Sequence, residues 1–253
     1  MDVVVVEPGE LDDRGTAIVA GWLGPRPAGT LLAALGWSAL GIYRGLAGLR
    51  AAGRLDTAAL TLVQLDEYAG LPAADPRSLR AWLERDVAGP LSVATERIVG
   101  LPGEAAADPA AAGRACAAYD AAVRAAGGID VAVLGLGPNG HLGFNEPPSG
   151  PTAPTRLVDL TPASLESSRR YFGANAVIPG RALTAGMDVL LRARRTLLVV
   201  AGSGKAAILR RLLDEPVSDD LPASHLRSIA GVTLLADRAA WPHDRPIPAM
   251  IRE

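Results

Sequence analysis

Residues 129–147 read IDVAVLGLGPNGHLGFNEP. The first six are a short apolar run with two valines and an isoleucine, which predicts a buried strand over 129–134. Glycines follow at 135, 137, 140 and 143, and prolines at 147 and 148. A strand that runs into a glycine-rich loop bearing His141, Asn145 and Glu146 suits a parallel α/β sheet, whose ligands bind beyond the carboxyl ends of the strands.

Outward from this stretch, apolar runs at 3–6, 30–35, 60–65, 196–200 and 232–235 read as further strands. Between them, 11–23, 40–53, 76–90, 108–126 and 205–214 carry helical spacing of Ala, Leu and Arg. The alternation predicts an α/β fold: an open, mostly parallel sheet flanked by helices on both faces, Rossmann-like in type. No internal repeat is present, and residues 1–253 are expected to form a single domain. The Pro/Gly-rich stretch 146–154 is expected to be a functional loop. Three strands end in polar or glycine-rich clusters. The first is Asp66-Glu67-Tyr68, the second is 135–146, and the third is Gly202-Ser203-Gly204-Lys205. In a parallel sheet all three line one rim.

Composition narrows the function. Net charge is −2, charged residues are 21% and hydrophobic residues 49%, which supports a sizeable core and carries no basic bias toward nucleic acid. Cys116 is the only cysteine, so neither an intramolecular disulfide nor a multi-cysteine zinc site can form. No apolar run approaches the roughly 18 residues of a membrane span. The start, Met1-Asp2-Val3, lacks the basic and apolar stretches of a signal peptide, so a cytoplasmic protein is expected. Of 25 basic side chains 24 are Arg, and Lys205 is the single Lys. An ammonium is a compact charge that a guanidinium does not mimic, which singles Lys205 out.

Two motifs mislead. Gly135-Leu136-Gly137-Pro138-Asn139-Gly140 fits G-x-G-x-x-G after a strand, and Asp159 lies near the distance of a ribose-binding acid. A dinucleotide fold needs a helix directly after the third glycine. Prolines at 147, 148, 151 and 154 forbid a full-length one, since each interior proline costs ~3 kcal/mol. Gly202-Ser203-Gly204-Lys205 resembles a phosphate loop but has Val199 and Ala206 where that loop needs Gly and Ser/Thr. A strand–glycine–helix turn beside Lys205 still offers backbone N–H groups to a phosphate monoester.

Residues 137–147 strongly resemble the signature of the glucosamine-6-phosphate deaminase/isomerase family, which shares its fold with 6-phosphogluconolactonases. Leu65 to Leu71, Thr155-Arg156, Ser168 to Phe172, 181–187, 202–206 and Pro222-Ala223-Ser224 follow in family order. The resemblance covers roughly residues 30 to 240. It implies conversion of an aminosugar 6-phosphate, foremost glucosamine 6-phosphate, to a ketose 6-phosphate plus ammonia, without a metal or redox cofactor. It also implies a small-molecule partner, no nucleic acid or membrane, and leaves room for a homo-oligomer. A lid segment is expected around 147–178.

Carried over residue by residue, Asp66 matches the base that moves the C2 proton. His141 matches the ring-opening group, whose ordinary pKa lies near neutrality. Glu146 matches the acid that orients the His or handles amino-group protons. Asn139 stands where some members carry Asp and others Asn, and is expected to orient the imidazole without adding charge. Arg156, Arg170 and Lys205 match phosphate-binding side chains, with Ser38 and Gly36 in the first phosphate loop and Glu67 and Gly137 as further substrate contacts. In that loop, Gly36-Trp37-Ser38-Ala39, Trp37 replaces a small residue and is expected to hinder backbone approach to the phosphate. A lactonase-type hydrolase on the same fold and a non-catalytic sugar-phosphate-binding protein remain alternatives. Phe144-Asn145-Glu146 speaks against the first, and the trio Asp66, His141 and Glu146 against the second.

Overall fold

Side chains alternate across a strand with a period of two, so a strand covered on both faces reads as continuously apolar. The computed structural model describes residues 1–173 and 176–247, the side chains of Ala107 and Arg170 excepted. In it there are ten strands, of which the central ones follow this logic. The ten are β1 (Asp2–Val6), β2 (Thr30–Ala33), β3 (Thr61–Gln64), β4 (Asp66–Tyr68), β5 (Ile98–Val99), β6 (Val131–Gly135), β7 (Arg156–Asp159), β8 (Arg181–Thr184), β9 (Arg195–Val200) and β10 (Val232–Asp237). The helices are α1 (Leu11–Leu23), α2 (Trp37–Ala51), α3 (Leu79–Leu83), α4 (Gly89–Leu91), α5 (Pro109–Ala125), α6 (Pro162–Phe172), α7 (Met187–Leu190) and α8 (Ala206–Asp214).

Seven strands form one sheet in the order β1-β10-β9-β6-β2-β3-β5, with every pair parallel. Leu31, Leu62, Val131, Val133, Leu197 and Val199 pack against α1, α2 and the α3–α4 region. Leu32, Val63, Ala132, Leu134, Leu198 and Val200 pack on the opposite side with α5, α7 and α8. The strand order reverses between β2 and β6. At such a switch point the loops leaving neighbouring strands diverge to opposite faces and open a crevice.

A second sheet, β4-β8-β7, is antiparallel and lies outside the sequence-based expectation. Its strands are three or four residues long and carry charged residues, too short and too polar to show a pattern. Helix α6 was not expected either. The stretch 76–90 is less regular than its spacing suggests: a π-helical turn, Glu84–Ala88, joins α3 to α4. The segment 147–178 holds both β7, fixed in the antiparallel sheet, and α6.

Candidate active site

The crevice at the switch point is a cleft of about 350 Å3. Its floor comes from the loops after β2 (34–39) and β6 (135–141), and one wall from α6. Asp66, His141, Gly36, Ser38, Gly137 and Lys205 all line it. Six of the chain's ten aromatic side chains do so as well: Trp37, Tyr68, Trp82, Phe144, Tyr171 and Phe172. So apolar a wall penalises charge, and it offers flat faces to the C–H edges of a sugar.

Asp66 opens β4, one residue past the end of β3. Burial pushes its carboxyl up to about 7, and the neighbouring charge of Glu67 adds to the rise. A carboxyl that titrates near neutrality can both take and return a proton.

Glu67 does not reach the cleft, contrary to its expected role as a substrate contact. Successive strand side chains point to opposite faces, so Glu67 faces away from Asp66. Its carboxylate accepts from Ser78 Oγ (2.7 Å), Leu79 N (3.0 Å), Arg80 N (2.8 Å), Tyr68 N (2.8 Å) and Gln64 Nε2 (3.0 Å). It satisfies the open N–H groups at the start of α3.

His141 and Glu146 come from the loop after β6. His141 Nδ1 is 3.4 Å from Glu146 Oε2, an ion-pair distance that is long for a hydrogen bond. Gly137 makes room for the ring: a Cβ there would lie 2.1 Å from His141 Cδ2. Gly137 N–H also donates to His141 O at 3.0 Å, which closes the loop on itself.

Burial pushes the Glu146 carboxyl up. The contacts with His141, Ser164 and Asn139 outweigh it and hold the group down to about 2. Asn139 Nδ2 donates to Glu146 Oε2 at 2.6 Å, and His141 N–H donates to Asn139 Oδ1 at 3.3 Å. Asn139 therefore orients the carboxylate and the His141 backbone, where contact with the imidazole itself was expected.

The start of α2 also borders the cleft. Gly36 is its N-cap and has no side chain to satisfy the first N–H groups, and Ser38 follows two residues on. Lys205, on the turn Ser203–Lys205, donates from Nζ to Leu136 O at 2.6 Å and so hangs over the same region. Trp37 does not fill the loop. Its indole is 67% exposed and stacks on Tyr171 at 5.9 Å and 13°, outside the backbone turn that it was expected to block.

Arg156 is turned elsewhere. Its guanidinium donates to Asn145 Oδ1 (2.8 Å), Ser149 Oγ (2.9 Å) and Pro154 O (3.1 Å), clamping loop 145–154 rather than lining the cleft. The side chain of Arg170 lies outside the described residues. Sequence reading missed Ser164 and Ser167 on α6, and Trp82. The available signal for α6 was Thr161-Pro162, a capping hydroxyl followed by proline at the first helical position.

The sequence profile of the glucosamine-6-phosphate isomerases/6-phosphogluconolactonase family matches residues 34–235. A glucosamine-6-phosphate deaminase of Streptomyces coelicolor is 37% identical over 242 residues, 95% of this chain and 91% of that protein. The solved structure of a monomeric glucosamine-6-phosphate deaminase superimposes with a TM-score of 0.89 at 34% identity, covering 95% of this chain and 98% of that one. A 6-phosphogluconolactonase of Thermotoga maritima shares the fold at a TM-score of 0.72 and 18% identity, over 93% of this chain and 98% of the other. The match extends from the end of β2 to β10 and includes both loops that meet at the switch point, so the chain belongs to the glucosamine-6-phosphate isomerase/6-phosphogluconolactonase family.

Proposed function

We propose that this protein is a cytoplasmic glucosamine-6-phosphate deaminase, which converts glucosamine 6-phosphate and water to the ketose 6-phosphate and ammonia. The observation that carries the reading is that Asp66 and His141, with Glu146 beside the imidazole, line one cleft together with Lys205 and with Gly36 and Ser38 at the start of α2. A 37% identical relative bears this name over nearly its whole length.

The chemistry is a sequence of proton transfers and one addition of water. His141, oriented by Glu146, takes the proton from the anomeric hydroxyl and gives one to the ring oxygen, which opens the sugar to the aldehyde. Asp66 as carboxylate removes the C2 proton, the substrate's ammonium gives one of its protons to the aldehyde oxygen to leave a neutral enolamine, and Asp66 returns its proton to C1. The product is the C2 iminium of a ketose. Water adds at C2, and ammonia departs as the carbonyl forms. Backbone N–H groups at the start of α2, the Ser38 hydroxyl and Lys205 bind the 6-phosphate. Two groups of opposite demand, a base near neutrality and a permanent carboxylate, are set apart by their surroundings alone.

The test is ammonia release across glucosamine 6-phosphate, its C2 and C4 epimers, unphosphorylated glucosamine and 6-phosphogluconolactone. Ammonia from glucosamine 6-phosphate, with little from glucosamine, is the expected result. Lactone hydrolysis without ammonia from any aminosugar would overturn the reading.

A further inference from the structure

We propose that Ser164, with Thr161 beside it, is a positioning residue for the acid–base pair: α6 holds the Glu146 carboxylate so that its other oxygen faces His141. This rests on the deaminase reading given above.

The two oxygens of Glu146 answer to different parts of the fold. Oε2 accepts from Asn139 and faces His141, both on the loop after β6. Oε1 is held by α6, accepting from Ser164 Oγ in a short bond and from Thr161 Oγ1 at 3.2 Å. Thr161 is the N-cap of α6, and its Oγ1 also accepts from Ser164 N–H at 3.2 Å. Its one hydroxyl proton is thereby committed to Glu146. The carboxylate also sits at the positive end of an 11-residue helix, where negative charge is favoured.

The same helix is tied to the strand that carries Asp66. Tyr68 OH donates to Ser168 Oγ (2.8 Å), and Ser168 Oγ donates to Ser164 O (2.8 Å). Tyr68 lies two residues from Asp66 on β4. At its other end α6 is held by rings: Tyr171 stacks on Trp37, and Phe172 packs against Tyr68 and Trp82. One helix thus fixes Glu146 relative to β4. A shift of α6 would free Oε1 and let the carboxylate rotate away from the imidazole.

The charged groups around Glu146 are few. His141 faces it from the loop after β6, and Arg156 grips the neighbouring Asn145 and Ser149. Asp66 and Lys205 enter the same cleft from β4 and from the turn before α8. Among the described residues, the side chains that α6 and its N-cap present to the carboxylate are neutral hydroxyls, which add direction beside the favourable field of the helix end.

Ser164→Ala deletes only the hydroxyl and keeps a good helix former in the first turn. Turnover of glucosamine 6-phosphate should fall about tenfold or more, the scale of one hydrogen bond to a charged group, with KM changed less than about threefold. The ring 15N resonances of His141 should move, and those of His225 and His243 should not. The deciding measurement is Ser164→Ala in a Glu146→Gln background, where the further loss should disappear because the two residues act as one unit. Unchanged turnover in Ser164→Ala, or an equal loss in both backgrounds, would overturn the inference and leave the proposed function standing. Wild-type turnover in Glu146→Gln alone would instead remove Glu146 from the proposed mechanism.

Discussion

Asp66 and Glu67 are adjacent carboxyls with opposite surroundings. Asp66 faces an apolar cleft with no hydrogen-bond donor supplied to its carboxyl among the described residues, and burial drives that carboxyl up to about 7. A carboxyl raised in the folded state and ordinary in the unfolded one costs stability as pH rises. Below about pH 4 both states hold the proton and there is no difference. Between that and pH 7 the unfolded chain ionises first, and above pH 7 the full penalty applies. Asp66→Asn should therefore melt higher than wild type at pH 8, by on the order of 2–4 kcal/mol, with the gap closing below about pH 4. Its turnover should fall about 10²–10⁴-fold while substrate binding is kept. Thermal melts at pH 4 and pH 8, alongside steady-state kinetics, check both halves. Equal melting of the two proteins at pH 8 would argue against the raised carboxyl. Burial raises the Glu67 carboxyl as well, and the five donors around it offset part of that rise.

At the scale of the element, the N-termini of α3 and α2 are built differently, the first around the Glu67 carboxylate and the second as the proposed phosphate site. The start of α3 is closed by Glu67 and by its own N-cap Ser78. Glu67→Gln turns an amide N–H₂ toward groups that are themselves donors, so the fold should lose on the order of 3 kcal/mol. For a chain of this length that is about 6–12 °C in Tm. Turnover per folded molecule, measured well below the melt, should stay near wild type. A selective rise in KM would return Glu67 to the substrate site. The start of α2 has glycine as its N-cap, and the cation nearest in the cleft lining is Lys205. Lys205→Met should lower kcat/KM for the phosphorylated sugar about tenfold or more. The same variant should leave any residual turnover of unphosphorylated glucosamine unchanged, and a parallel loss on both sugars would show that Lys205 does not read the phosphate. Helix α6 resembles α3 in holding an internal carboxylate, but that carboxylate, Glu146, faces His141, which ties the helix to the proposed chemistry.

At the scale of the whole molecule, the cleft gathers loops from β2 and β6, strand β4 and helix α6, elements separated by more than a hundred residues. A ligand that bridges them binds the folded state alone. Inorganic phosphate or the ketose 6-phosphate at about a hundredfold over Kd should add about 2.7 kcal/mol, a rise of about 5–10 °C in Tm. A titration followed by differential scanning fluorimetry measures this, and no rise with the ketose 6-phosphate would count against a sugar-phosphate site. The central strands, their alternation with helices and the loop at 135–146 were legible in the sequence because period and punctuation are local properties. So were Asp66, His141 and Glu146, the groups the proposed function uses, which sit in one short motif and in one strand end. Strands β4, β7 and β8 were not legible, because three or four residues with charged side chains have no period of their own and exist only through their partners. Nor was α6, whose polar sequence offers only Leu165 and a few rings near its C-terminus for packing. The chain by itself determined which chemistry-bearing groups the molecule owns and on which rim of the sheet they stand. Only the tertiary structure decided that Glu67 caps a helix, that Arg156 grips a loop and that Ser164 holds Glu146, because direction and burial of a side chain depend on neighbours far away in sequence.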